Sequence, residues 1–225
     1  MRPITKTVSR FVRWAFGKSD TGLPPWTIDA IQRGALGYSY KGIPMLKDPF
    51  DLALYGLLIG RLRQRTIIEI GTYKGGATMW LADQLEINGI EGTVHSLDVI
   101  PVDLPPSPHI VLHRGSAREL SGIFPADWIA ALARPLLVID DGDHTRESVL
   151  ASLEHFSSHM RPGEYFVVED GSAADLGLAH KVNGGPLAAI HEFLGRGVPF
   201  EIDRAYCDFY GRNVTWNVDG YLRRV

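Results

Sequence analysis

The period of apolar positions changes along the chain. From Thr66 onward, short apolar runs alternate with longer amphipathic ones. The alternation predicts strands at 66–70, 93–98, 109–113, 136–140 and 165–169, with helices at 75–87, 145–160 and 186–194. Strands at 200–204 and 213–218 close the series. The central runs Thr-Ile-Ile-Glu-Ile, Leu-Leu-Val-Ile-Asp and Tyr-Phe-Val-Val-Glu are nearly continuous in apolar residues. Such strands are buried on both faces, hence parallel and covered by helices. Strand–helix alternation with right-handed crossovers then gives an α/β fold: a Rossmann-like, doubly wound, mostly parallel seven-stranded sheet with helices on both faces. The last two strands are expected to form an antiparallel edge.

Upstream, a helix is predicted at 27–36 and an irregular stretch at 37–44. Asp48-Pro49 supplies an N-cap and a first-turn proline for a helix running to about residue 63. At the N-terminus Ile4, Val8, Phe11, Val12 and Ala15 recur at helical spacing, and Arg2, Lys6, Arg10, Arg13 and Lys18 precede the first acid, Asp20. This basic amphipathic arm either packs on the domain or another subunit, or lies on an anionic membrane surface. A turn-rich linker at 17–25 follows it. The expected organisation is therefore residues 1–35 as arm and linker and 36–225 as one domain, in a homo-oligomer.

Composition narrows the setting. The 225 residues are 45% apolar and 22% charged, an ordinary globular balance. A formal net charge of -3 and a pI near 6.2 offer no global basic field, so no nucleic-acid partner is expected. Cys207 is the only cysteine, so an intramolecular disulfide is excluded and a reducing, cytoplasmic setting is expected, with peripheral membrane contact through the arm left open. The chain carries no apolar run of spanning length and no signal-peptide pattern.

Candidate chemistry gathers at the predicted strand ends, where ligands bind in such sheets. Glu69, Asp98, the pair Asp140 and Asp141, and the pair Glu169 and Asp170 end four strands. The first strand runs into Gly71-Thr-Tyr-Lys-Gly75-Gly76, a turn that admits close approach of a ligand to backbone amides. Neither the dinucleotide fingerprint nor a P-loop is met. Asp98, 27 positions after Gly71, stands where a carboxylate grips ribose hydroxyls. A glycine turn and a ribose acid without a pyrophosphate site suggest S-adenosylmethionine. Asp140-Asp-Gly-Asp-His144 with Glu169-Asp170 offers oxygen donors suited to Mg2+ rather than zinc, and His144 is a natural general base. His155 and His159, four apart on a helix, read as a solvated face. Asn213-Val-Thr215 is a glycosylation sequon by pattern only, and Ser116 lacks the setting of a hydrolase nucleophile.

Five segments carry a resemblance: 38–44 (Tyr-Ser-Tyr-Lys-Gly-Ile-Pro), 49–52 (Pro-Phe-Asp-Leu), 69–76 (Glu-Ile-Gly-Thr-Tyr-Lys-Gly-Gly), 138–144 (Val-Ile-Asp-Asp-Gly-Asp-His) and 167–171 (Val-Val-Glu-Asp-Gly). Together they resemble the cephalosporin hydroxylase family, which despite its name consists of class I S-adenosylmethionine-dependent methyltransferases and borders macrolide-sugar and rhamnosyl O-methyltransferases. The resemblance runs over roughly residues 35–224, departing where Val218 stands for a usual proline. It implies Mg2+ on Asp141, Glu169 and Asp170, and His144 as the base. It implies a cofactor held by Glu69, Gly71, Thr72, Tyr73, Gly75, Gly76, Asp98 and Asp140, with Gly115, Ser116 and Ala117 near the adenine. Tyr38, Tyr40 and Asn183 are candidates for the acceptor pocket. The implied reaction is methylation of a hydroxyl on a sugar, glycolipid or polyketide-type acceptor. An iron-dependent hydroxylase, which needs two histidines and a carboxylate, and a non-catalytic partner of another enzyme are the alternatives.

Overall fold

The three near-continuous apolar runs become adjacent, buried strands: β3 (Thr66–Ile70), β6 (Leu136–Asp140) and β7 (Tyr165–Val168). The computed structural model describes residues 4–16 and 19–225. Arg2, Gly17 and Lys18 of the arm lie outside the described residues, as do the side chains of Ile4, Lys6 and Trp14. The other strands are β1 (Ser39–Tyr40), β2 (Ile43–Pro44), β4 (Thr93–Asp98), β5 (Ile110–Arg114), β8 (Phe200–Ile202) and β9 (Tyr221–Arg224). The helices are α1 (Ile4–Ala15), α2 (Pro25–Ala35), α3 (Pro49–Leu62), α4 (Gly76–Ile87), α5 (Leu120–Ile123), α6 (Ala126–Ala131), α7 (Arg146–Ser157), α8 (Gly185–Gly195) and α9 (Arg204–Cys207).

β1 and β2 form a hairpin, and the other seven strands make one sheet in the order β5-β4-β3-β6-β7-β9-β8. Pairings from β5 through β7 are parallel, and β9 runs antiparallel to both neighbours. Strand order reverses between β3 and β6, the switch point at which such sheets bind ligands. Side chains alternate between the two faces. Ile68, Val138 and Phe166 pack with Leu153, Phe156, Ile190 and Phe193 of α7 and α8. Ile67, Leu137 and Val167 pack with Leu58, Ile59, Leu81 and Leu85 of α3 and α4.

As expected, the last two strands pair antiparallel at one edge of the sheet, with β8 outermost and β9 between it and β7. Two expectations need correction. The last strand lies at β9, and not at residues 213–218. There the backbone donors go to side chains instead of a ladder: Asn213 N donates to Asp208, Trp216 N to buried Asp51, and Asn217 N to the Thr215 hydroxyl. The apolar–polar alternation that imitates a strand is a loop wrapped on Asp51. His155 and His159 are half-buried rather than solvated, and the His155 ring lies 2.9 Å from the Phe124 carbonyl oxygen.

The arm is helical and rests on α2 through its polar side. Arg10 pairs with Asp29 at 2.9 Å and Arg13 with Asp20 at 3.5 Å. Phe11 approaches Trp26, while Val8, Phe11, Val12 and Phe16 stay exposed. Among the described residues no helix is long and apolar enough to cross a membrane.

Candidate functional site

Two cavities meet at the carboxyl ends of the central strands. The larger, about 360 Å³, is bounded by the turn after β3, by Asp98 and Ile100 after β4, by 115–117 after β5, and by 141–143 after β6. The smaller, about 170 Å³, lies between Pro44–Lys47, the same turn, and Asp141, His144 and Asp170. Gly71, Tyr73, Asp141 and Gly142 form the wall between them.

The turn explains its glycines. Gly71 has φ +102°, and a Cβ there would lie 2.0 Å from the Asp141 carbonyl oxygen, so only glycine fits. Gly75 caps α4 with φ +88°, and Gly76 lies against the hairpin, where a Cβ would meet the Pro44 oxygen at 2.5 Å. Both serve packing of the turn more than an open approach, since a Cβ on Gly75 would strike Leu104. Thr72 is buried with its hydroxyl 2.7 Å from that of Ser96.

Asp98 faces the larger cavity. Its carboxylate accepts from Tyr73 N at 2.8 Å and Ile100 N at 2.9 Å, so the acid also braces the glycine turn. Gly115, Ser116 and Ala117 line the same cavity, with Gly115 N donating to the Asp98 carbonyl at 3.0 Å. This is an open nucleoside-sized cleft with an ionisable acceptor at one end.

Glu69 and Asp140 stand behind that surface. Glu69 points to the opposite face of the sheet, where its carboxylate accepts from the Thr78 and Ser96 hydroxyls and its other oxygen has no partner. Burial pushes its carboxyl up to about 7, against those hydrogen bonds. Asp140 accepts from Gly142 N at 3.3 Å, and burial raises it to about 6. Neither lines either cavity.

The acid cluster divides in two. Asp141, His144 and Asp170 converge, offering one ligand atom each within 4.8 Å of one another. His144 Nε2 is 3.3 Å from Asp170 and 3.9 Å from Asp141, while its buried Nδ1 has no partner. His144 and Asp170 both adopt φ +57°, a left-handed conformation that costs non-glycine residues about 1–3 kcal/mol and collects at functional sites. Burial raises the Asp170 carboxyl, opposed by His144 and reinforced by Asp141. These donors fit a hard divalent cation.

Glu169 is not one of the three converging donors. It accepts from Lys47 Nζ at 2.5 Å and from the Tyr55 hydroxyl at 2.7 Å, and it is buried. Lys47 also donates to Asp141 Oδ2. Lys47 and Tyr55 were not among the residues singled out from sequence. The sequence carries no signal for either: the alternation of buried Met45 and Lys47 about exposed Leu46 is seen only in the structure. The acceptor candidates from sequence lie elsewhere. Tyr40 donates to Asp83, Tyr38 is exposed outside both cavities, and Asn183 is tied to Glu147.

Comparison with known proteins places this geometry. A CmcI structure with Mg and SAM is 30% identical, with a TM-score of 0.65 over 84% of this chain and 77% of that one. A second, with SAH, is 26% identical with a TM-score of 0.64 over 100% and 93%. The rhamnosyl O-methyltransferase of Mycobacterium leprae (strain TN) is 24% identical over 237 residues, covering 99% of this chain and 93% of that protein. The family model described as rhamnosyl O-methyltransferase/CmcI matches residues 34–225, and the chain belongs to that family.

Proposed function

We propose that the protein transfers the methyl group of S-adenosylmethionine to a hydroxyl of a sugar, glycolipid or polyketide-type acceptor, assisted by Mg2+. The observation that carries this reading is the convergence of Asp141, His144 and Asp170 on the far side of the wall from a cleft containing Asp98. The CmcI structures with Mg, SAM and SAH support the cofactor and cation, and the rhamnosyl O-methyltransferase relative supports a sugar hydroxyl.

When bound, the cofactor supplies an electrophilic methyl group and the cation stabilises negative charge on an acceptor oxygen. Asp98, fixed by two backbone amides, would accept from ribose hydroxyls. Asp141 and Asp170, with Glu169 joined to Asp141 through Lys47, would hold the cation. His144 is aimed at the point where the two aspartates meet, so a hydroxyl drawn there lies within reach of an imidazole able to take its proton. The shared wall of Gly71 and Asp141 fixes the separation of donor and acceptor, which is where such transfers gain much of their rate.

The test is cofactor calorimetry beside methyl transfer to a panel of rhamnose-bearing acceptors, with and without a chelator. Chelation is expected to abolish turnover and leave most of the S-adenosylmethionine affinity, because ribose and cation use different strand ends. Full activity in chelator would refute the metal role. Absence of cofactor binding would refute the whole reading.

A further inference from the structure

We propose that Lys47 is a resident counter-charge that matches the acid cluster to a divalent cation. The inference rests on the metal reading above. Asp141, Glu169 and Asp170 bring three carboxylates to two adjacent strand ends, and the Lys47 ammonium bonds two of them. Its side chain is only 6% exposed, so water does little to screen it. One fixed positive charge against three negative ones leaves two unbalanced, the charge of one divalent ion.

A lysine this buried calls for an explanation beyond stability, because desolvating an ion pair costs about as much as the attraction returns. Asp141 and Glu169 are the charged acceptors that allow an ammonium to be buried here. Lysine also suits the task better than arginine, being a compact point charge on a flexible stem. Glu69 and Asp140 do not line the cavity and accept hydrogen bonds on one oxygen each, and the Tyr55 hydroxyl on Glu169 is uncharged in its donor form. Lys47 is thus a positioning residue: it orients Asp141 and Glu169 and trims the field that a metal ion meets.

The experiment compares cation binding by the intact chain without acceptor, using Mg2+ calorimetry and Tb3+ luminescence on wild type, Lys47→Gln, Lys47→Met and Tyr55→Phe. Removing the ammonium leaves a field that favours a trivalent ion, so the Tb3+-to-Mg2+ affinity ratio should rise about tenfold or more in both Lys47 variants. Their melting temperatures should fall without cation and recover more fully with Tb3+ than with Mg2+. Tyr55→Phe removes the other hydrogen bond to Glu169 without changing charge, and its ratio should stay at the wild-type value. A merely structural lysine would weaken both cations together and leave the ratio unchanged, which would overturn the inference. So would a Tyr55→Phe shift as large as that of Lys47→Gln. A wild type that binds neither cation would overturn the metal reading and this inference with it.

Discussion

On the β3–β4–β5 side of the switch point the site is made largely of backbone. Its cleft is walled by glycine turns and the segment 115–117, and its one fixed acid, Asp98, is held by two amides. On the β6–β7 side it is made of side chains. Asp141, His144 and Asp170 converge in front, and Lys47, Tyr55 and Glu169 close a bonded network behind. On the proposed function, the difference follows from what each half would bind. A nucleoside presents shape and hydroxyls, which backbone can meet. A metal ion presents concentrated charge, which ionised carboxylates balance best, and these need partners to be buried at all.

The contrast can be broken at several points. The largest effect should come from His144→Ala, which should lower turnover by about 10²–10⁴ with cofactor affinity nearly intact, read by single-turnover kinetics beside calorimetry. If affinity falls as well, the halves are not separate. Asp98→Ala should do the reverse, weakening S-adenosylmethionine binding by about 10- to 100-fold, the loss expected for hydrogen bonds to a charged group, while Mg2+ binding stays unchanged. The smallest effect sharpens the comparison from outside it. His95 lies 3.0 Å from His113 and packs edge-on against Trp128, and burial, with His113 adding, pushes it down to about 4. Folding therefore favours its neutral form. The stability it contributes is present above about pH 6.5 and is lost as pH falls toward 4. The melting temperature should drop by about 2–4 °C per kcal/mol lost across that window. His95→Gln should flatten the drop. An equal drop in the variant would assign the acid sensitivity to His113 and His155, whose rings burial also holds below the ordinary histidine range.

Much of this was legible in the chain. Strands β3, β6 and β7 announce themselves because burial on both faces leaves no polar alternation to confuse. The strand-end acids follow from the topology rule, and Asp98, Asp141, His144 and Asp170 do reach the two cavities. Less legible were features that depend on partners distant in sequence. Asp51 gathers Thr215, Trp216 and Tyr221 from more than 160 positions away, which is why 213–218 reads as a strand and folds as a loop. Glu169 reads as equivalent to Asp170, yet it is bonded to Lys47 and Tyr55 and is not one of the three converging donors. Tyr40, an acceptor-pocket candidate from sequence, donates its hydroxyl to Asp83 on α4.

The contact at Gly71 has a consequence for how such a protein can change its substrate. No methyl group fits between the turn after β3 and the Asp141 carbonyl, and Asp141 N is itself bonded to the Ile70 oxygen at 2.8 Å. The two loops behave as one casting, with no slack through which a larger or smaller acceptor could be fitted by moving one against the other. On the proposed function, acceptor range would then be set at Leu46, which is exposed at the smaller cavity, because Pro44 and Met45 are themselves packed on Gly76 of the turn. One exposed side chain could vary while the casting stays constant, which would separate the evolution of specificity from the preservation of chemistry.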